Sequence, residues 1–203
     1  MSVKKITLMA ILTAIALIVF IIEAQIPLPV PIPGVKLGIA NTVTLFALFY
    51  GSKSTDGKAA SELVDTKKTS KTKASSRETN SRVSLLLPGT LSTANAFTIL
   101  LCRIVLGAIF IGRPVALIYS IVGGLLGFMA QIAVKRFVSD KQIWVCGAIG
   151  AVFHNIGQIA AAMLITGTPA IVLYLPVLII AGVFTGVLTG FIAQFTLQRL
   201  HHY

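Results

Sequence analysis

The chain has 203 residues, of which 56% are hydrophobic and 11% charged, and its mean hydropathy is +0.91. An ordinary soluble domain is less apolar than this, so the composition indicates a protein whose solvent is lipid. The 17 Lys and Arg outnumber the 6 Asp and Glu, but they cluster between apolar runs, which excludes the basic folded surface of a nucleic-acid-binding protein.

Six apolar segments indicate helices that cross the hydrocarbon core, which takes about 20 residues for each crossing. In chain order they cover residues 6–24, 37–50, 95–111, 114–134, 143–165 and 171–197. The first run is as long as a full span, which favours a retained helix over a cleaved signal peptide. We expect Pro176 to divide the last segment into a short initial turn and a long helix. The sequence therefore predicts an all-α, polytopic membrane protein in which residues 1–203 form a single membrane domain.

The connections between these segments predict how the chain is oriented. Residues 27–34 contain four prolines and Gly34, which cannot continue the first helix. Residues 51–93 are rich in Ser, Thr and Lys, and we predict a flexible cytoplasmic loop there, inserted between helices 2 and 3. The predicted inner segments hold fourteen basic residues and the outer ones only Lys36 and Arg113. Because basic residues favour the inner side, we expect both termini in the cytoplasm and the protein in the cell membrane.

Glycines recur at four-residue spacing in the sixth segment, at positions 182, 186 and 190, and three more lie in the fourth, at 123, 124 and 127. Small residues let helix backbones approach closely in lipid. We expect them to pack helices of one chain together, with a homodimer contact as the alternative.

Three ionisable side chains lie within the predicted spans, namely Glu23, Arg103 and His154. Each costs roughly 2.5 to 3.5 kcal/mol to insert, which makes a functional role the first hypothesis. The topology places Glu23 near the outer end of the first helix and the other two near the middle of the third and fifth. We therefore predict a polar pocket open to the outside. Arg103 has three possible roles: an ion pair with Glu23, capping of carbonyl groups, or binding of an anionic ligand group.

The fifth segment contains the polar residues His154, Asn155 and Gln158. At about 100° per residue, their side chains fall within one helical sector. Asn41 lies one turn into the predicted second helix, after the glycine-flanked Lys36. We predict that a substrate-binding site is formed by Glu23, Lys36, Asn41, Arg103, His154, Asn155 and Gln158. The alternative is that the amides and the imidazole only bond across helices.

Enzymatic motifs are missing from the sequence. There is no paired-aspartate motif for magnesium diphosphate, no GxSxG, no HExxH and no P-loop lysine. Cys102 and Cys146 show no metal-ligand spacing. We expect no catalytic residue, metal site or cofactor, so any activity on phosphates or ATP must come from a partner.

Four ordered motifs carry a family resemblance, at residues 26–41 (IPLPVPIPGVKLGIAN), 101–107 (LCRIVLG), 151–158 (AVFHNIGQ) and 174–182 (YLPVLIIAG). Together they resemble the Gx transporter family, also named heptaprenyl diphosphate synthase component I. That family is similar to the substrate-binding S components of energy-coupling-factor transporters. The resemblance implies an S-component-like bundle of six transmembrane helices with an external loop that gates a pocket.

The resemblance also implies partners. In S components, an Ala-xxx-Ala patch on helix 1 contacts the transmembrane coupling subunit, and Ala10 and Ala14 have that spacing. This subunit and its ATPases form the energy-coupling module, and the S component binds the small-molecule ligand. The second family name implies instead a non-catalytic accessory subunit of a polyprenyl diphosphate synthase. A membrane subunit of a flavin- and quinone-linked electron-transfer complex is the third alternative. We favour transport, since a prenyl synthase needs clustered acids for magnesium diphosphate.

Overall fold

Helices account for nearly all of the chain that a computed structural model describes, namely residues 3–26, 36, 38–50, 91–112, 114–139 and 141–201. No strand occurs within these ranges. The helices are α1 (Val3–Glu23), α2 (Asn41–Tyr50), α3 (Thr93–Ile111), α4 (Pro114–Lys135), α5 (Ile143–Thr166), the 3-10 helix Pro169–Tyr174 and α6 (Leu175–His201).

Five of these helical stretches are long and apolar enough to cross a membrane: α1, α3, α4, α5, and the 3-10 helix together with α6. This confirms the prediction of an all-α, polytopic membrane protein. In the described part of the second predicted segment, residues 38–50, the helix begins at Asn41. Its ten residues rise about 15 Å, half of a hydrocarbon core of about 30 Å. The orientation with cytoplasmic termini follows from loop charge and stays a prediction.

The short helix α2 lies at the centre of the bundle. It contacts all five other α-helices, and seven of its ten residues are buried. Protein groups bind its backbone at both ends: Glu23 accepts hydrogen bonds from the N–H groups just before it, and Lys135 Nζ donates to the carbonyl of Leu48 at 2.7 Å. Because backbone groups in lipid must be satisfied by protein, these contacts allow a helix to end inside the bundle.

Helix α5 packs between α4 and α6 through glycines on both sides. A Cβ at Gly123 or Gly127 would lie 2.8 Å from a carbonyl oxygen of α5, and one at Gly186 would lie 2.7 Å from the Cα of Ala148. Gly182 and Gly190 face α5 as well. Contacts this short leave no room for a side chain, so backbone packs directly on backbone. Packing within one chain therefore explains the α6 glycines, as predicted.

Two helix starts show how local chemistry sets the boundaries. Pro176 is the second residue of α6 and follows the 3-10 helix, so it divides the last segment as predicted. Ser92 caps α3, its hydroxyl accepting from the Ala94 N–H at 3.4 Å. Because of this cap, Thr93 is helical rather than the last residue of the predicted 51–93 loop. Residues 51–90 of that loop lie outside the described residues.

Candidate functional site

Six of the seven residues predicted to bind substrate line one buried cavity: Glu23, Lys36, Asn41, Arg103, His154 and Gln158. Each is at most 9% exposed. Phe20, Gly38 and Ser120 complete the lining. The space between these side chains is about the size of one water molecule. That these residues bind a substrate stays a prediction.

The carboxylate of Glu23, at the end of α1, holds the segment that leads into α2. One oxygen accepts from the backbone N–H groups of Gly38 and Ile39, and the other accepts from Ala40 at 3.2 Å. Gly38 has a φ of +83°, a left-handed conformation that glycine adopts without strain. Carboxylates bind well at such clusters of N–H groups because the hydrogen bonds are charge-assisted. Both oxygens of Glu23 are thus engaged by the protein backbone.

Arg103 projects from the middle of α3 into the same space and is 3% exposed. Its Nη2 donates to Asn41 Oδ1 at 2.8 Å. Its Nε has no hydrogen-bond partner among the described residues. Glu23 attracts the guanidinium electrostatically, but the hydrogen bond goes to the amide of Asn41. The hydrogen bond to Asn41 is none of the three roles that the sequence left open, and binding of an anionic ligand group by Arg103 stays a prediction.

Lys36 reaches the cavity from the segment before α2. Its Nζ lies 3.1 Å from the centroid of the Phe20 ring, which is a cation–π contact. Its backbone N–H donates to Gln158 Oε1 at 3.1 Å. Since a backbone N–H can only donate, this bond fixes the orientation of the Gln158 amide. The Nε2 atom of that amide is buried without a hydrogen-bond partner in the described part of the chain.

The imidazole of His154 is held between two glycines. A Cβ at Gly38 would lie 3.1 Å from its Cδ2, and a Cβ at Gly123 would lie 3.2 Å from its Cε1. Its Nδ1 is buried, and no described residue forms a hydrogen bond with it. Because Gly38 and Gly123 have no side chains, the imidazole ring fits between the segment before α2 and helix α4.

Asn155 lies outside the cavity lining, in contrast to the prediction that it shares a sector with its neighbours. Its Nδ2 donates to the carbonyl of Leu178 on α6 at 2.6 Å. The reason is angular, because a helix turns about 100° per residue and Gln158 returns to within about 40° of His154, whereas Asn155 does not. Asn155 therefore joins α5 to α6.

Three lining residues escaped the sequence analysis, and Phe20 shows why. It lies one helical turn before Glu23 on the buried face of α1, and its ring fills the space beside Gly107 of α3, where a Cβ would overlap it. An aromatic residue in an apolar span carries no signal of its own. Ser120 had a weak signal, since it precedes the predicted glycine stripe by one turn.

Ala10 and Ala14, predicted to contact a coupling subunit, lie on the exposed side of α1. The buried residues of this helix are Leu12, Ala16, Phe20 and Glu23. The contact itself stays a prediction.

A family model described as heptaprenyl diphosphate synthase component I matches residues 12–57 and 80–196. The matched ranges make up well over half of the chain and contain all seven predicted site residues. No curated protein and no solved structure matches the chain. The likeness to S components of energy-coupling-factor transporters stays a prediction.

Proposed function

The chain belongs to the heptaprenyl diphosphate synthase component I family, and we propose that it is the substrate-binding subunit of an uptake transporter. A small molecule arriving from outside binds in the cavity between α1, α2, α3, α4 and α5. An energy-coupling module of a transmembrane subunit and ATPases then drives its release inward. The chain itself is not an enzyme in this proposal.

The proposal depends on the buried polar atoms around the cavity that lack partners. Arg103 Nε, His154 Nδ1 and Gln158 Nε2 belong to residues that are at most 4% exposed, and none finds a hydrogen-bond partner among the described residues. A buried group left without a partner costs about 1–3 kcal/mol, so each of these atoms gains from a partner that a ligand or a bound water supplies.

A binding site offsets this cost, because the ligand supplies the missing partners when it binds. In a scaffold only ordered water supplies such partners, and an apolar cavity of the same shape would serve it better. The three atoms belong to residues that line one cavity, whereas three further buried atoms without partners among the described residues, on Thr44, Asn155 and Gln194, belong to residues outside its lining. The grouping of three such residues around one cavity favours ligand binding over a purely structural role.

The family's description favours a second candidate, a non-catalytic accessory subunit of a polyprenyl diphosphate synthase. In that role the bundle anchors a soluble catalytic partner at the membrane, and the polar cavity has no assigned purpose. A membrane subunit of a flavin- and quinone-linked complex has no observation of its own in its favour.

Purification from the native membrane in a mild detergent separates the candidates. A transport subunit is expected to bring with it a coupling subunit and ATPases, together with a small molecule that mass spectrometry identifies after extraction. The Gln158→Leu variant should lose that molecule. The Gln131→Leu variant should keep it, since Gln131 is also a buried amide but lies outside the cavity lining. Recovery of a soluble prenyl synthase, with no transport module and no retained small molecule, would overturn the proposal.

A further inference from the structure

We infer that the cavity takes a small monocarboxylate, whose two oxygens accept hydrogen bonds from the guanidinium of Arg103 and the amide nitrogen of Gln158. This inference rests on the proposed binding function and names the chemical class of its substrate. It follows from which hydrogen-bonding atoms of the cavity are already engaged and which are not.

The amide and carboxylate oxygens of the cavity are engaged. Both oxygens of Glu23 accept backbone N–H groups. Asn41 Oδ1 accepts from Arg103, and Gln158 Oε1 accepts from the backbone of Lys36. Each of these oxygens already accepts at least one hydrogen bond, so a ligand that brings donors, such as an ammonium ion, must share them.

The atoms that remain are donors. Arg103 Nε carries a hydrogen and no lone pair, so it can only donate. Gln158 Nε2 is fixed as a donor because the oxygen of the same amide faces the Lys36 N–H. His154 Nδ1 donates in one tautomer and accepts in the other. Two fixed donors on residues that line one cavity match a group with two acceptor oxygens, and an arginine is the residue that best recognises a planar carboxylate.

Charge selects between a carboxylate and a phosphate. The cavity is lined by two cationic side chains, Arg103 and Lys36, and by one anionic side chain, Glu23, so its formal charge is +1 with His154 counted as neutral. A carboxylate brings this charge to zero. A phosphate group carries about −1.5 to −2 at neutral pH and would leave an excess negative charge in a buried site, which is strongly unfavourable.

The size of the cavity determines which molecules are used to probe binding. Its space is about that of one water molecule, so even the smallest carboxylates, formate and acetate, enter only if the lining side chains move apart. These two ions are therefore the probes. Binding of radiolabelled acetate is measured on the full chain in nanodiscs of neutral lipid. Unlabelled formate, inorganic phosphate and methylammonium serve as competitors. We expect formate to displace acetate, and we expect phosphate and methylammonium to fail at the same concentration.

The variant Gln158→Glu tests the role of the amide nitrogen at almost constant shape. One oxygen of the new carboxylate keeps the bond to the Lys36 N–H. The other oxygen takes the place of the amide nitrogen, so a donor becomes a negatively charged acceptor. We expect acetate binding to weaken more than tenfold, because a charge-assisted hydrogen bond is replaced by repulsion. The control Gln131→Glu makes the same change at a buried amide outside the cavity lining and should bind acetate like the wild type.

The competition experiment on the wild-type chain decides the question even if a variant fails to fold. Tighter binding of phosphate or methylammonium than of acetate would overturn the carboxylate assignment, and so would the absence of saturable acetate binding. Equal affinity for acetate in a folded Gln158→Glu variant would overturn it too. A neutral or cationic molecule retained from the native membrane would contradict the carboxylate but leave the binding function standing. Only a chain that retains no small molecule of any class contradicts both.

Discussion

The substitution Glu23→Gln is expected to destabilise the bundle by detaching α2 from α1. The amide keeps one oxygen for the N–H groups of Gly38 and Ile39, but its nitrogen then faces the N–H of Ala40. One buried N–H loses its partner, which costs about 1–3 kcal/mol. The attraction between Glu23 and Arg103 is lost too, although the two side chains share no hydrogen bond. We expect a loss of about 1–3 kcal/mol in the free energy of unfolding.

The thiol of Cys146 provides the assay. It is fully buried, whereas Cys102 is exposed, so in a Cys102→Ser background a thiol-reactive fluorescent dye reports only the unfolding that uncovers Cys146. Heating or denaturant titration in detergent then gives the difference between Glu23→Gln and the parent. Gln25→Ala, an exposed change at the same end of α1, should fall within about 0.5 kcal/mol of the parent. An equally small effect of Glu23→Gln would refute the view that this carboxylate holds α2.

Three further predictions concern the packing around the cavity. Gly186→Ala should lower the unfolding free energy by about 1–3 kcal/mol, since the new Cβ would lie 2.7 Å from the Cα of Ala148. Lys135→Met should cost about 1–3 kcal/mol, because the Leu48 carbonyl loses the ammonium that binds it at 2.7 Å. Asn155→Leu should lower stability by a similar amount but leave ligand retention unchanged, since this amide bonds to α6 outside the cavity.

Each of these has a matched control in the same assay. Val183→Ile adds one methylene on an exposed part of α6, and Arg136→Met removes an exposed charge next to Lys135. Both should change the unfolding free energy by less than about 0.5 kcal/mol. Gln158→Leu is the comparison variant for Asn155→Leu, since it should abolish ligand retention. A Gly186→Ala or Lys135→Met variant no less stable than its control, or loss of ligand in Asn155→Leu, would contradict the packing described above.

The sequence predicts the features of this protein that depend on local chemistry. Apolar length locates the long helices, and Pro176 divides the last segment because proline fits only the first turn of a helix. The glycine spacing in α6 predicts close helix contact, which α5 provides. Rare polar residues in apolar spans point to the cavity, since six of the seven predicted residues line it.

What the sequence does not predict depends on contacts between distant residues. Residues 38–40 stay outside α2 while Glu23, fifteen or more positions earlier, binds their N–H groups, and no periodicity reveals such a contact. Phe20 is recognised as a lining residue only once Gly107 is seen to make room for its ring. Asn155 differs because the helical sector of α5 that includes His154, Asn155 and Gln158 is wide enough to contact both the cavity and helix α6. Asn155 lies on the side of that sector that faces α6.

Native mass spectrometry of the intact chain, released from nanodiscs, tests the central claim most directly. If the cavity is a binding site, the wild-type protein should show a second peak, heavier by one small molecule. This peak should be absent from Gln158→Leu and present in Gln131→Leu. A wild-type spectrum with only the mass of the bare chain, or an added mass that persists in Gln158→Leu, would contradict the claim that these buried polar groups exist to hold a ligand.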